Sequence, residues 1–121
     1  MDRQPVLEGD RLRLRPLRPD DWDALFAVAS DRLIWEVHPQ HDRWQEPVFR
    51  AFFADALEQG GAVAVIDKVT GTMIGSSRWQ GHDPEASSVE IGWTFLARSH
   101  WGGSHNRELK RLMLAHALRF V

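Results

Sequence analysis

The chain has 121 residues, of which 43% are hydrophobic and 26% are charged, so it is long enough to fold as one domain around a hydrophobic core. Fifteen basic residues against seventeen acidic ones give a formal net charge of −2, which argues against a nucleic-acid-binding protein. The sequence contains no cysteine, which excludes disulfides, thiolate metal sites and a cysteine nucleophile. It has no apolar run of membrane-spanning length and no secretion signal, so we expect a single cytoplasmic domain over residues 1–121 with no membrane partner.

The first half of the sequence predicts one strand followed by two helices. Residues 11–17, "RLRLRPL", alternate arginine with leucine, as a strand with one buried face does. We interpret the arginines as the solvated face of that strand, because no aromatic pattern accompanies them. Apolar residues recur at helical spacing in residues 18–30 and again in 46–61. Residues 31–45 between these helices follow no period and predict a loop with at most one helical turn.

The second half predicts three further strands and a helix. The strands are "AVAVID", "TMIGSSRWQ" and "VEIGWTF", and short polar turns join them as an antiparallel meander. The fold class is therefore α+β, with a mainly antiparallel mixed sheet flanked by helices. In the last strand we place Glu90 on the face opposite to the apolar residues Val89, Ile91, Trp93 and Phe95. The final helix carries an apolar stripe at Leu109, Leu112, Met113, His116, Ala117 and Phe120.

The segment "LARSHWGGSHNRELKRLML", residues 96–114, joins the last strand to the last helix through two adjacent glycines. Glycines leave backbone amides accessible, and the start of a helix attracts anions, so this loop is a candidate phosphate site. The loop lacks the lysine and the Ser/Thr that end a P-loop. It also lacks the three spaced glycines and the βαβ unit of a dinucleotide-binding fold.

Four stretches resemble the GNAT family of N-acetyltransferases, in the branch similar to acetyltransferases of ribosomal-protein N-termini. They are "LEGDRLRLRPLRPDDWDAL", "VTGTMIGSSRW", "VEIGWTFLARSHWGG" and "NRELKRLMLAHAL", which occur in the family's order over nearly the whole chain. The resemblance implies transfer of an acetyl group from acetyl-CoA to a primary amine by direct attack. It also implies residues that contact the co-substrate, including backbone groups at Phe95 and Leu96, and the loop residues Arg98, Trp101, Gly102, Gly103, Ser104, His105 and Asn106.

The sequence departs from the family pattern in three ways. Ser104 stands where a second glycine is common, and a serine forced to positive φ there would cost about 1 kcal/mol. No tyrosine is present to protonate the departing thiolate. The family's fifth strand and closing elements have no counterpart before Val121. We leave three explanations open: a truncated product, a second chain that supplies the missing surface, or a non-catalytic module that binds acetyl-CoA or self-associates.

Glu90 is the candidate catalytic residue, because a carboxylate can take the proton that an ammonium must lose before it attacks. We predict that Trp35 and Trp79, and less strongly Trp44, line the acceptor pocket. "HPQHD" offers too few matched ligands for a metal, so no metal is expected. The identity of the acceptor stays open. The apolar last strand and final helix predict a homodimer that meets near them.

Overall fold

A single antiparallel sheet forms the centre of the molecule. The computed structural model describes residues 5–83 and 88–119. It describes the side chains of these residues except those at positions 81–83, 88 and 89. The strands pair in chain order, each antiparallel to the next. They are β1 (Leu7–Glu8), β2 (Leu12–Pro16), β3 (Ala62–Asp67), β4 (Met73–Asp83) and β5 (Ser88–Leu96).

In the described part of the chain, four α-helices flank this sheet, and two short 3₁₀ turns, Pro19–Asp21 and Arg98–His100, accompany them. The predicted α+β fold is confirmed, as is the single helical turn between the first two long helices. The two-residue strand β1 was not foreseen, because two residues are too few to show a period. The helices are α1 (Trp22–Ala29), α2 (Arg32–Trp35), α3 (Glu46–Gln59) and α4 (His105–Leu118).

The sheet separates two hydrophobic cores. Helices α1, α2 and α3 cover one face and enclose what we call the aromatic cluster, because ring side chains dominate it. Helix α4 covers the other face and encloses the aliphatic cluster. The aromatic cluster includes Trp22, Phe26, Trp35, Phe49, Phe52, Phe53, Trp93 and Phe95. The aliphatic cluster includes Leu12, Leu14, Val63, Val65, Ile74, Leu96, Leu109 and Met113.

A β-bulge interrupts β5 and corrects the predicted face pattern. Arg78 pairs with Gly92 and Ser76 pairs with Phe95, so β5 has one more residue than β4 over this stretch. The extra residue is Trp93, which has a positive φ of 56°. Ile91 packs on the aliphatic cluster, whereas Trp93 and Phe95 pack on the aromatic cluster. The prediction of one shared face for Ile91, Trp93 and Phe95 was therefore wrong, and Val89 lies outside the described side chains.

Helix α4 docks on the sheet through the predicted stripe. Leu109, Met113, His116 and Ala117 are buried, Leu112 is partly buried, and Phe120 lies outside the described residues. The Trp79 indole Nε1 donates to the Met113 carbonyl oxygen at 3.0 Å, which fixes the helix against β4. None of the described helices has both the length and the apolar character that a bilayer crossing requires.

Candidate functional site

A cavity of about 280 Å³, here called the β5 cavity, lies where the end of β5 meets the start of α4 and the turn after α2. It brings together five of the residues that the sequence nominated for co-substrate binding: Phe95, Leu96, Trp101, Gly102 and Asn106. Its other walls are Ile34, Val37, His38 and Thr94. Apolar walls with a few polar groups are typical of a pocket for a small organic molecule.

The glycine loop, residues 97–104, shapes one side of this cavity. Gly102 has a φ of 74°, and a Cβ there would meet nothing within 4 Å, so the main chain is open to a ligand. Trp101 Nε1 donates to the Leu96 carbonyl oxygen at 2.9 Å, which folds the loop back onto the strand and occupies one backbone acceptor. The first bond within α4 joins the N–H of Glu108 to Ser104 O, so the N–H groups of 105–107 have no partner within the helix.

Ser104 does not have the strained backbone that the sequence predicted. Its φ is −84°, an ordinary helical value, and the positive φ of the loop belongs to Gly102 instead. Its hydroxyl accepts a hydrogen bond from Arg11 Nη1. It lines a separate cleft of about 240 Å³ with Asp10, Arg11, Arg107, Glu108 and Arg111. The expected cost of a positive φ at Ser104 is therefore absent.

Arg98 lies apart from the β5 cavity. Its Nε donates to Asp31 Oδ2 at 2.5 Å, and both residues line a wider cleft of about 730 Å³ beside α1. This ion pair lowers the pKa of Asp31, chiefly through the hydrogen bond. A carboxylate already occupies one side of the guanidinium, which leaves its two Nη groups for any further anion.

His105 lies beside His100 and Asp67, with the two imidazole rings 4.7 Å apart. His100 Nε2 is 2.9 Å from Asp67 Oδ2, and this hydrogen bond, with one from the N–H of Val69, lowers the pKa of the Asp67 carboxyl. The ligand atoms of the three residues lie within 4.8 Å of one another, and among the described residues no other group is close enough to hold a metal. The sequence did not foresee this group, which joins the end of β3 to the glycine loop. Gly103 is exposed beside it.

Glu90 is exposed and lies on β5 at a distance from the cavity lining. Its Oε2 accepts from Gln80 Nε2 at 3.3 Å, and Gln80 Oε1 in turn accepts from Trp93 Nε1. Thr94, four residues further along the strand, is the hydroxyl that reaches the cavity. Glu90 itself is not among the residues that line the cavity.

Lys110 is a polar residue of the site that sequence reasoning missed. Its Nζ donates to Thr94 Oγ1 at 2.9 Å, and the Thr94 and Ser77 hydroxyls are 2.7 Å apart. Burial lowers the pKa of Lys110, so it is a better acid than an exposed lysine. Lys110 stands one position after Leu109 in the stripe, and periodicity alone would place it outside the core.

His38 also lines the cavity and was considered before only as a metal ligand. Its ring lies 5.0 Å from that of Trp35, on the wall formed by the turn after α2. Burial lowers the pKa of His38, and the positive charge of Arg43 lowers it further. The imidazole is therefore neutral at physiological pH. A loop without periodicity gives no sequence signal for such a position.

The two tryptophans predicted for the acceptor pocket differ in position. Trp35 is 1% exposed and packs 5.1 Å from the Phe95 ring, so it supports the cavity wall from behind. Its Nε1 donates to the Ala29 carbonyl oxygen at 2.7 Å. Trp79 is fully buried in the aliphatic cluster under α4, which is a core position and no pocket wall. Trp44 is partly buried against the aromatic cluster.

Comparison with known proteins agrees with this geometry. The family model for the "Acetyltransferase (GNAT) domain" matches residues 11–121. A search of curated proteins found no match. Among solved structures, a probable GNAT acetyltransferase from Chromobacterium violaceum is 22% identical with a TM-score of 0.80, over 95% of this chain and 60% of that one.

Two further solved structures are of acetyltransferases whose names state the acceptor. The ribosomal-protein-S5-alanine acetyltransferase of Vibrio fischeri is 14% identical, with a TM-score of 0.68 over 96% of this chain and 68% of that one. The spermidine N-acetyltransferase of Vibrio cholerae, solved with CoA and spermine, is 18% identical, with a TM-score of 0.64 over 90% and 64%. At these identities the likeness establishes the fold. The chain is shorter than each of these proteins, and spans less than two thirds of the Chromobacterium and spermidine enzymes. By its family-model match, the chain belongs to the GNAT acetyltransferase family.

Proposed function

We propose that this protein transfers an acetyl group from acetyl-CoA to a primary amine. The observation that carries the proposal is the β5 cavity, which has an apolar wall at Phe95 and Leu96 and an open main chain at Gly102. The pantetheine arm of acetyl-CoA has apolar methylene and methyl groups between its amides and ends in a pyrophosphate, so it needs these two environments next to each other.

The phosphates of CoA would meet two kinds of positive group. The unpaired N–H groups at the start of α4 follow directly after the glycines, and a helix N-terminus favours an anion. Three arginines, Arg11, Arg107 and Arg111, line the adjacent 240 Å³ cleft. Arginine pairs with phosphate through two parallel hydrogen bonds, so this cleft suits a terminal phosphate.

The transfer itself needs a proton taken from nitrogen and a proton given to sulfur. The acceptor arrives as an ammonium and gives one proton to Glu90, directly or through water. The neutral nitrogen bonds to the thioester carbonyl carbon, the bond from that carbon to sulfur breaks, and the nitrogen releases a second proton to water. The departing thiolate takes a proton from the Thr94 hydroxyl, and Lys110 gives Thr94 a proton across 2.9 Å. Lys110 then regains a proton from water, and Glu90 releases its proton to water. This relay replaces the tyrosine that the sequence lacks.

The finer features of this assignment are also proposals. The acceptor class includes protein N-termini and small amines, since the solved relatives named above act on ribosomal protein S5 and on spermidine. The outer edge of β5 has no strand partner among the described residues, and Leu114 and Leu118 of α4 are exposed. A homodimer would cover this surface.

Release of free CoA thiol in the presence of an amine panel tests the function. Because the chain has no cysteine, every thiol detected comes from CoA. We expect amine-dependent release with acetyl-CoA. We also expect CoA to raise the melting temperature more than pantetheine does, because only CoA carries the pyrophosphate. Equal shifts from both compounds would place the contacts away from the glycine loop, and no release with any amine would contradict the proposed reaction.

A further inference from the structure

Two arginines lie against the same pair of aromatic rings beside the bulge in β5. The guanidinium carbons of Arg43 and Arg78 are each 4.5 Å from the centre of the Trp93 ring. They lie 4.8 Å and 5.5 Å from the centre of the Phe52 ring. Because both guanidinium carbons are 4.5 Å from the same ring centre, the distance between them is at most twice 4.5 Å.

The negative charge nearby does not balance this pair. Arg78 is 3% exposed and bonds through Nη1 to Asp55 Oδ2 at 3.0 Å, while its Nε and Nη2 are buried without a hydrogen-bond partner. The Asp55 side chain is 46% exposed, so solvent weakens its effect. Arg43 is half-buried, and no described carboxylate lies within salt-bridge distance of it. Burial and, next, the charge of Arg78 lower the pKa of Arg43, and the Asp42 carboxylate opposes them with a smaller effect.

Such an arrangement is costly unless an anion completes it. A buried charge without a partner destabilises a fold, and two like charges on one ring add repulsion. Trp93, whose ring both guanidinium groups contact, also has a positive φ, which a bulky side chain rarely adopts. The planar carboxylate matches the guanidinium fork through two hydrogen bonds, so it is the anion that fits best.

The site adjoins the β5 cavity. The guanidinium of Arg43 lies 5.8 Å from the Trp35 ring, and Trp35 in turn contacts His38 and Phe95, which both line the cavity. Towards the hairpin, Trp93 is bonded to Gln80, and Gln80 is bonded to Glu90. Trp35 therefore connects the arginine pair to the cavity wall, and Gln80 connects Trp93 to Glu90.

We propose that Arg43 and Arg78, arranged around Trp93, bind the carboxylate of the acceptor, so that the substrate is a small amino acid with a free carboxylate. This inference deepens the proposed acetyl transfer and rests on it. The same two cations disfavour a polyamine, whose charges they would repel. They also give no advantage to a protein N-terminus, where an amide replaces the α-carboxylate.

The test compares acceptors that differ only in charge, namely an amino acid panel, the corresponding amino acid amides, and a diamine. We expect kcat/KM to be at least about tenfold higher for an amino acid than for its amide, and Arg43→Gln to abolish that preference. Arg50→Gln is the matched control, because Arg50 also lies on an indole, 4.4 Å from the Trp22 ring, but is already paired with Glu46. Equal rates for acid and amide in the wild type, or a preference that survives Arg43→Gln, would overturn the inference.

A binding measurement separates this inference from the proposed function. Trp93 lies at the site, so tryptophan fluorescence or NMR shifts of its indole can report carboxylate binding without turnover. We expect saturable changes with the N-acetylated amino acid and none with its amide, and loss of the changes in Arg43→Gln but not in Arg50→Gln. If no acceptor is acetylated, this carboxylate-dependent response would still support the anion site. Identical responses to both compounds would contradict it.

Discussion

The two faces of the sheet differ in how a buried charged side chain on each is hydrogen-bonded. Under α4, Glu108 is 8% exposed and its Oε2 accepts from the N–H groups of Arg11 and Leu12 at 2.9 and 2.7 Å. Under α1 to α3, Arg78 is buried with two nitrogen atoms that have no partner. Glu108 therefore has its hydrogen bonds within the chain, whereas Arg78 on the aromatic face leaves positive charge for something outside it. Incomplete polar networks in a folded protein mark candidate binding sites.

The largest predicted effect is a loss of stability when the pairing of β4 with β5, at the centre of this comparison, is disturbed. A Cβ added to Gly75 would overlap the Phe95 carbonyl oxygen, a backbone atom that cannot move without breaking the β4–β5 pairing. We expect Gly75→Ala to destabilise the protein by at least about 3 kcal/mol, or to prevent folding, as measured by chemical denaturation. Gly92→Ala on the partner strand is the control, since its nearest atom would be Gln80 Nε2 at 3.7 Å. Similar losses in both variants would contradict the close approach.

Neutralising Glu90, on the aromatic face of the sheet, should lower the activity of the protein without lowering its stability. If Glu90 takes the acceptor proton, Glu90→Gln should lower kcat/KM by roughly 10²-fold at neutral pH, while CoA binding stays nearly unchanged. Glu58→Gln, at another exposed carboxylate on α3, should leave both quantities unaltered. Full activity with the wild-type pH profile in Glu90→Gln would show that Glu90 is only a solvated strand residue.

On the α4 face, removing the Glu108 carboxylate should instead lower the stability of the protein. Glu108→Ala would leave the N–H groups of Arg11 and Leu12 buried without an acceptor, which costs about 1–3 kcal/mol of unfolding free energy. Glu46→Ala is the control, because the Glu46–Arg50 ion pair is exposed and such pairs contribute about 0.3–0.5 kcal/mol. Chemical denaturation measures both. A Glu108→Ala protein as stable as the wild type would mean that water satisfies these donors.

The smallest expected effect is the pH dependence of stability caused by the Asp21 carboxylate, which lies directly before α1 in the chain. Burial alone would raise the pKa of Asp21, but the hydrogen bonds from the Arg15 side chain and the Arg18 N–H outweigh it and hold the pKa below its usual 3.8. Because the folded pKa lies below the unfolded one, this carboxylate stabilises the fold above about pH 4, and the contribution is lost as pH falls through the folded value. Melting temperatures measured from about pH 2 to pH 7 should show a shallower acid decline in Asp21→Asn than in the wild type. The exposed neighbour, as Asp20→Asn, should keep the wild-type decline.

Periodic features of this chain could be predicted from sequence, and non-periodic ones could not. The alternation in 11–17 and the stripe from Leu109 to Ala117 fixed the elements and their order, because side-chain spacing records burial. The cavity residues Phe95, Leu96, Trp101, Gly102 and Asn106 were nominated by the resemblance to the GNAT family. The bulge at Trp93 was missed, because an extra residue shows only once β5 is paired with β4. The sequence does not distinguish Trp35 from Trp79. Only the tertiary structure shows that Trp35 supports the cavity wall and that Trp79 lies in the core.

The bulge also suggests how one residue could be added to or lost from this strand. On either side of Trp93 the strand alternates strictly: Ile91 and Thr94 face α4, while Gly92 and Phe95 face the aromatic cluster. A chain without Trp93 would therefore keep every other β5 side chain on its present face. Single-residue deletion at this position should be tolerated by the fold far better than deletion at a neighbouring position, and it would remove the ring that both arginines contact. Among relatives, a gap at this point of the strand would separate proteins that have this ring from proteins that do not.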